Sequence, residues 1–300
     1  MRLCSLLVAL LVLVSKVVIA FPDEASSRGN LENVKEIIIG FPHQLDNPDK
    51  LYPTKLLRAS LAASGTSFQL KNAPIEMSQD RNLREIALGN NVDVFWTMTS
   101  IEREKTLRPI RIPIDKGLYG WRLLLVREDD TSIDKVTKLS DFKKLIFLQG
   151  HDWPDTEILK SNNLKVLTSE KYQYLFSMMQ KGRADILPRS VLEVSDERSA
   201  FNHQLKIHPS VSIYYPAALY FFVRKENEAL ARQIETGLNK LIDSGEFERL
   251  FQEEFGDDIQ DAISANRAII TLTNPYLPAD TPFHRSELWH FNQEDKKTKR

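Results

Sequence analysis

Short apolar runs and amphipathic stretches alternate along the first third of the chain. The short runs Glu36–Phe41, Phe68–Lys71 and Val92–Met98 predict buried strands. Between them, apolar residues at helical spacing predict helices over Tyr52–Ser64 and Asp80–Leu88, and a glycine follows each helix. This β-α-β-α-β order favours a mostly parallel sheet with right-handed crossovers.

The same alternation returns after a crossing segment. The chain runs extended past Pro113 and leaves on the apolar run Leu123–Val126. Val211–Val223, a long β-favouring run that contains Pro216, is interpreted as the chain crossing back. In between, the pattern predicts strands at Leu145–Leu148, Lys165–Leu167 and Ala184–Leu187, with helices through Leu159, over Ser169–Lys181 and from Ser190.

These elements predict an α/β fold of two lobes, each a mostly parallel sheet flanked by helices, with two crossover segments as the hinge. The first lobe would hold residues 31–115 and 220–290, and the second lobe residues 121–215. Two amphipathic helices, which carry Leu230 to Ile242 and Phe247 to Phe255, follow the return crossing. The segment Ala268–Leu272 is expected to pack on the first lobe.

The two ends of the chain differ from the rest. Arg2, an apolar stretch over Leu6–Val14 and small residues up to Ala20 predict a secretory signal peptide over residues 1–20, cleaved after Ala20. Ser15 and Lys16 interrupt the apolar run, which argues against a membrane anchor. Residues 291–300 are expected to form a charged, solvated tail. The absence of any Asn-x-Ser/Thr site favours a bacterial periplasm as the destination.

Charge and cysteine content exclude several classes of protein. Removing Arg2 and Lys16 with the signal leaves 38 basic and 41 acidic residues, which gives no footprint for nucleic acid or for an anionic membrane. The one cysteine, Cys4, lies in the signal, so the exported chain depends on its core for stability. No histidine pair has the spacing of metal ligands, and neither a cofactor nor a metal is expected.

Arg103 is the leading candidate for contact with a ligand. It follows the strand Val92–Met98 by a few residues, and ligands of open α/β sheets lie outside the carboxyl ends of the strands. A planar guanidinium suits a carboxylate, which it holds by two parallel charge-assisted bonds. The alternative is an ordinary surface arginine that pairs with Glu102 or Glu104 at little gain in stability.

Several segments, in this order, resemble the extracellular solute-binding proteins of family 3. The ending Val223–Leu230, Ile242–Phe247 and Phe255-Gly256 is similar to the closing helix pair of that family. Thr99–Arg103 is similar to its Thr-x-x-Glu-Arg segment, and Gly182–Ile186 resembles its Gly-Arg-x-Asp strand. The resemblance covers roughly residues 34–260.

The resemblance implies a monomeric periplasmic protein that captures a small polar solute between two lobes and presents it to an ABC transporter permease or another membrane partner. It also implies that Arg103 holds a carboxylate of the solute. The chain departs from the family at Trp96 and Met98, where small residues or hydroxyls are usual. It also lacks a carboxylate after Gly182–Ile186, in Leu187–Ser190, where the family binds an amino group. These departures weigh against an α-amino acid as the solute.

Other candidate ligand contacts each have a structural alternative. Backbone N–H groups at the turn Gln149–Trp153 could hold an anion, whereas Asp152 could pair with a cation or simply cap the following helix. Arg189 could be a second anion grip, and Ser190 and Glu193 fit a capping box. The full candidate set is Arg103, Phe41, Trp96, Thr99, Gln149, Gly150, His151, Asp152, Trp153, Arg189 and Ser190.

Two other classes of function remain open from the sequence. Relatives of this fold include periplasmic dehydratases of the cyclohexadienyl type, and Asp152 with Glu157 could form an acid–base pair. The sequence contains no Gly-x-Ser-x-Gly elbow, and after the signal no cysteine that could act as a nucleophile, so a binding protein is preferred to an enzyme. A module that senses its ligand for a membrane receptor kinase would need the same binding chemistry.

Overall fold

The computed structural model describes residues 35–41, 48–65, 67–75, 77–200 and 204–290. The expected signal peptide, the first residues of the expected first lobe and the charged tail lie outside these residues. Within them, no helix is both long and apolar enough to cross a lipid bilayer.

Eleven strands and nine helices alternate along the described residues. The strands are β1 Lys35–Ile39, β2 Phe68–Asn72, β3 Val94–Met98, β4 Leu107–Ile110, β5 Trp121–Arg127, β6 Ile146–Gly150, β7 Lys165–Ser169, β8 Leu187–Ser190, β9 Leu205–Tyr214, β10 Leu219–Arg224 and β11 Ala268–Thr271. The helices are α1 Tyr52–Ser64, α2 Gln79–Leu88, α3 Ile101–Thr106, α4 Leu139–Phe142, α5 Pro154–Ser161, α6 Tyr172–Gln180, α7 Val194–Ala200, α8 Glu228–Asp243 and α9 Glu246–Ser264. The α/β class predicted from the apolar pattern is confirmed.

The strands form two main sheets and one parallel pair. The first sheet has the order β2-β1-β3-β10-β4, and the second has the order β11-β9-β5-β8. The pair β6-β7 is attached to the second sheet by a bridge between Phe147 and Ile186. β1, β2 and β3 are parallel as expected, whereas β10 is antiparallel to both of its neighbours. β10 runs the other way because it brings the chain back from the second sheet.

Helix α8 packs closely against α1 on the first sheet. A Cβ added to Gly237 would lie 1.7 Å from the carbonyl oxygen of Ser60, so only glycine permits this approach of the two backbones. Leu230, Ile234 and Leu238 of α8 are fully buried, and they recur at the helical spacing seen in the sequence. The predicted pair of closing helices is confirmed, and α9 continues past Phe255 to Ser264.

Four segments connect the two sheets and the helices packed on them. The first lies between β4 and β5 and the second between β9 and β10, at the two predicted crossings. They touch each other, because the N–H of Tyr215 donates to the carbonyl of Gly120 over 3.1 Å. A Cβ on Gly120 would lie 1.9 Å from the carbonyl oxygen of Tyr215, so glycine is required there. The third lies between α9 and β11, the fourth follows β11, and neither of these two was predicted.

The C-terminal part of the chain departs from its predicted place. Ala268–Leu272 was expected on the first lobe, but β11 pairs in parallel with β9 of the second sheet. The next residues bind α5 through Asn162, whose side chain exchanges two hydrogen bonds with the backbone of Thr273. The carbonyl of Tyr276 then accepts the N–H of Ile101 on the first-sheet side. A four-residue strand carries no local sign of the sheet it will join, so the pattern could not show this.

Two shorter predictions are also corrected. The polar residues Thr99–Glu104 are typical of a turn, but Ile101–Thr106 form the helix α3, whose N-terminus is capped by the hydroxyl of Ser100, 3.2 Å from the N–H of Arg103. The helix predicted to begin at Ser190 begins at Val194 instead. Ser190 ends β8 because its backbone pairs with Arg122 of β5, and a strand position takes precedence over the capping pattern.

Candidate functional site

A cavity of about 390 Å³ lies between the first sheet and the elements of the second. From the first-sheet side it is lined by Ser78, Gln79, Phe95, Trp96, Thr97, Met98 and Leu219. From the other side it is lined by Tyr119, Arg122, Gly150, Asp152, Trp153, Pro154, Asp155, Ser169, Glu170, Lys171, Tyr172, Gln173, Arg189 and Glu193. β3 reaches the cavity at its carboxyl end, as expected for an open α/β sheet.

Arg103 reaches the edge of this cavity from α3. Its side chain is half-buried, and it donates to the hydroxyl of Thr97 at 2.5 Å, the carbonyl of Met98 at 2.9 Å and the side-chain oxygen of Gln79 at 3.2 Å. It also donates to the carbonyl of Asp152 at 3.2 Å, across the cavity. All four acceptors are neutral oxygens, and among the described residues no carboxylate forms an ion pair with this guanidinium.

The charge of Arg103 is therefore neutralised only weakly by its immediate neighbours. Burial lowers the pKa of Arg103 to about 10, although more distant carboxylates such as that of Asp80 act in the opposite direction. A pKa of this size leaves the side chain cationic at neutral pH. Because it lies at the cavity edge without a carboxylate partner, the guanidinium retains the capacity to bind an anion.

The turn that follows β6 supplies part of the opposite wall. A Cβ on Gly150 would lie 2.5 Å from the ring of Trp153, so glycine lets this ring pack onto the strand end. The ring also contacts Arg189, whose guanidinium carbon lies 4.5 Å from the ring centroid, and the ring of Tyr172 at 6.4 Å. The side chain of Thr156 donates to the carbonyl of Gly150 over 2.8 Å and fixes the turn to α5.

Arg189 does not present a free positive charge to the cavity. It makes two 2.6 Å bonds to Glu197, and Glu193 lies 3.0 Å away. Burial alone would lower the pKa of Arg189, but these two carboxylates raise it well above its ordinary value. Tyr172 donates to Glu197 over 2.6 Å and completes the cluster. Arg189 lines the cavity as predicted, yet its charge is compensated within the protein, and a role as second anion grip is not supported.

Glu193 does not take part in the capping box predicted for it, and together with Asp155 it forms ionic contacts instead. Glu193 was assigned to a capping box with Ser190, but its side chain accepts from the hydroxyl of Tyr119 and contacts Arg189. Asp155 lies in the first turn of α5 and binds Arg122 over 2.5 Å. Both acids therefore belong to the ionic wall of the cavity.

Arg122 is the residue of this wall that the sequence analysis missed. Its side chain is 1% exposed, its Nε–H donates to the hydroxyl of Tyr215 over 2.9 Å, and that hydroxyl donates to Asp155. The ring of Tyr119 lies 4.8 Å from its guanidinium carbon. Burial alone would lower the pKa of Arg122, but Asp155 raises it above its ordinary value. A single arginine inside the apolar run of β5 is the signal that could have indicated a buried ionic partner.

The structure brings about half of the predicted residues together. Trp96, Gly150, Asp152, Trp153 and Arg189 line the cavity, and Arg103 binds Asp152 at its edge.

The other predicted residues do not line the cavity. Phe41 packs against the core and accepts a bond from Asn82 at its carbonyl, Thr99 donates to Glu104 over 2.7 Å, and the hydroxyl of Ser190 accepts from the N–H of Leu192. His151 is exposed and Gln149 is fully buried in β6. A solute contact for these five residues is not supported by the geometry. Among the described residues, no group of three or more His, Cys, Asp or Glu side chains is arranged to hold a metal ion.

Gln149 buries its side-chain amide in β6, and a substitution can measure the effect of this amide on stability. Neither its side-chain oxygen nor its side-chain nitrogen has a hydrogen-bond partner among the described residues. Gln149→Met keeps the shape and removes the desolvated amide, so we expect the free energy of unfolding to rise by about 1 kcal/mol. Urea denaturation measures it, with Gln260→Met on the exposed face of α9 as the control, expected to change by less than about 0.5 kcal/mol. A loss of stability in Gln149→Met would mean that the amide has a partner.

Among known proteins, only solved structures match this chain, and they show its fold. No family model matches the sequence, and no curated protein matches it. A Salmonella typhimurium periplasmic binding protein, described as having high arginine specificity, superposes with a TM-score of 0.57 at 16% identity, covering 74% of this chain and 100% of that one. A mutant of ArgBP from T. maritima gives 0.55 at 20% identity, covering 78% and 98%. A putative L-cystine ABC transporter protein from Listeria monocytogenes gives 0.54 at 20% identity, covering 75% and 98%.

At sequence identities this low, the superpositions show the fold alone. This chain covers 98–100% of the length of these three structures, so the likeness extends over nearly their whole fold. The described part of the chain therefore has the two-lobed α/β fold that these binding proteins have, as the resemblance in its sequence implied.

Proposed function

We propose that the protein binds a small polar solute that carries a carboxylate, closes around it by hinge motion and presents it to a membrane transporter. The observation that carries the proposal is Arg103: a cation at the edge of an interlobe cavity whose four hydrogen-bond acceptors are all neutral. A carboxylate there would gain charge-assisted bonds that the present neutral acceptors do not provide.

The solute would also meet polar groups on both sides of the cavity. Thr97 and Gln79 flank Arg103 on the first-sheet side, and the cluster of Arg122, Asp155 and Glu193 faces them. Trp96 offers an aromatic face: within the described part of the chain its ring contacts the ring of Phe95 only, whereas the ring of Trp153 packs against Gly150, Arg189 and Tyr172. Contacts from both lobes favour the closed state over the open one, which is what hinge closure requires.

Export to the periplasm and delivery to an ABC transporter permease are parts of the same proposal. They are supported by the leader-like residues 1–20 and by the fold shared with transporter binding proteins. A thermal-shift screen over amino acids, organic acids, polyamines and sugars identifies the solute, because a bound ligand raises the melting temperature by mass action. Conversion of prephenate-like acids by the purified protein would instead support the enzyme alternative.

Arg103→Ala is the sharpest test of the proposed site. It removes a guanidinium that has no carboxylate ion-pair partner among the described residues, so we expect the affinity for the stabilising solute to fall about 100-fold with the fold intact. Calorimetry measures the affinity and circular dichroism the fold.

Arg84→Ala is the matched control, because Arg84 lies exposed on α2 and away from the cavity. The control should bind the solute as the wild type does. Equal affinity in Arg103→Ala and Arg84→Ala would reject the role of Arg103.

A further inference from the structure

Asp152 connects the two sides of the cavity through two hydrogen bonds. Its carbonyl accepts from the guanidinium of Arg103 over 3.2 Å, and its carboxylate accepts from the N–H of Asp80 over 3.3 Å. Arg103 and Asp80 lie on α3 and α2, which pack on the first sheet. Asp152 follows β6, which is attached to the second sheet through Ile186. One residue therefore bridges the lobes.

Both groups that Asp152 contacts attract anions. Asp80 lies in the first turn of α2, where the helix dipole and the free N–H groups favour negative charge, and Arg103 is a cation. The side chain of Asp152 is only 6% exposed, although its neighbour His151 is 45% exposed and lies 4.0 Å away. The second lobe thus inserts a carboxylate and a carbonyl oxygen between the guanidinium of Arg103 and the N-terminal N–H groups of α2, whose first turn also carries the carboxylate of Asp80.

The oxygens of Asp152 hold the position that the proposed function assigns to the solute. A solute carboxylate can make full use of Arg103 only when the bond from Arg103 to the carbonyl of Asp152 is replaced. When a group of the protein occupies a binding site, the apparent affinity for the solute falls in proportion to the fraction of molecules in which that group occupies the site.

We propose that Asp152 is a specificity-determining residue that acts as an internal competitor of the solute for the anion-binding edge formed by Arg103 and the first turn of α2. The proposal rests on the proposed function, because it names the group that the solute replaces. It selects for an anionic solute, since a neutral one gains too little from Arg103 to displace a carboxylate-anchored turn. If Asp152 is a competitor, its removal should strengthen solute binding. Removal of a residue that binds a cationic group of the solute should weaken it.

The first experiment needs no solute. Asp152→Ala should loosen the contact between the lobes, so hydrogen exchange in a peptide spanning residues 78–83 should be at least fivefold faster, and the radius of gyration from small-angle scattering should rise. Asp152→Asn keeps an acceptor oxygen and should lie between the wild type and Asp152→Ala. The control Glu157→Ala removes an equally charged but exposed side chain from the same region and should leave both quantities unchanged.

The second experiment measures affinity for the carboxylate solute that the thermal-shift screen identifies. Asp152→Ala should bind it at least five times more tightly than the wild type, while Glu157→Ala binds it equally well. Weaker binding by Asp152→Ala would overturn the proposal, because Asp152 would then contact the solute directly. Unchanged exchange and scattering would overturn it as well. If no carboxylate solute stabilises the protein, the proposed function fails, and the exchange and scattering results alone decide whether Asp152 joins the lobes.

Discussion

Replacing Asp115 with alanine is expected to lower the free energy of unfolding by about 3 to 6 kcal/mol. Asp115 is 1% exposed and lies in the first crossing segment. Its carboxylate accepts the N–H groups of Gly117 and Tyr119 in that segment at 3.2 and 2.9 Å, and the N–H of Leu219 at the end of the second segment at 3.1 Å. Alanine would leave three buried donors unpaired at the place where the two crossings meet.

Denaturation in urea measures this loss, and Asp129→Ala is the matched control. Asp129 is an exposed aspartate in the loop after β5, so its removal should change the free energy of unfolding by less than about 0.5 kcal/mol. A loss below about 1 kcal/mol in Asp115→Ala would contradict the expectation. It would show that water or a shift of the crossing segments replaces the carboxylate.

The penalty of the Asp115 substitution should also depend on pH. Burial raises the pKa of Asp115 to about 6, in spite of the N–H groups that favour its ionised form. An acid with a raised pKa binds more protons in the folded state, so its contribution to stability is largest at low pH and declines as the pH rises towards 6. The stability difference between the wild type and Asp115→Ala should therefore be about 2 kcal/mol smaller at pH 7.5 than at pH 4.5. A difference that grows with pH would contradict this sign.

The sequence predicted the helices and strands that depend on local residue patterns. Leu230, Ile234 and Leu238 recur at helical spacing and all become buried in α8, because the period of the apolar residues fixes which face of a helix meets the core. Pro216 separates β9 from β10 where a crossing was expected, because proline cannot donate in a sheet. The placement of Arg103 near the carboxyl end of β3 follows from the same local order of strand and helix.

Features that depend on distant partners were not visible in the sequence. The wall formed by Arg122, Asp155, Glu193 and Tyr215 joins residues from four separate segments, and no local pattern shows which of them pair with one another. Arg189 lies at the cavity as predicted. Glu197, which compensates its charge, lies in α7, beyond the capping pattern of Ser190 and Glu193. Pairwise chemistry between distant residues, rather than the periodicity of apolar residues, decides the electrostatics of the site.

The ion pair of Arg122 and Asp155 is the second place where a large effect is expected. Both side chains are almost completely buried, and Tyr215 donates to one and accepts from the other. Asp155→Leu would leave the guanidinium without its nearest carboxylate, at a cost of about 3 to 5 kcal/mol in unfolding free energy. Arg122→Met should cost a similar amount, because it leaves the carboxylate desolvated. Chemical denaturation of each variant measures these losses.

The double variant separates stability from function. When both charges are replaced by apolar side chains, no unpaired charge is left in the interior, so the double variant should lose at least about 2 kcal/mol less than the sum of the single losses. The exposed pair of Glu157 and Lys160 on the same helix is the matched control, and its cycle should give a coupling below about 0.5 kcal/mol. Additive losses in the buried cycle would mean that the two charges are stabilised by other neighbours.

The same double variant shows why a protein would keep these charges in a cavity wall. An apolar replacement of similar volume can be as stable as a buried ion pair, so stability alone gives no reason for the pair. Arg122 and Asp155 both line the cavity, which is consistent with a role in binding the proposed solute. We therefore expect the double variant to fold but to lose the thermal shift that the solute gives the wild type. A full thermal shift in the double variant would restrict the pair to a structural role and leave Arg103 as the main charged contact for the solute.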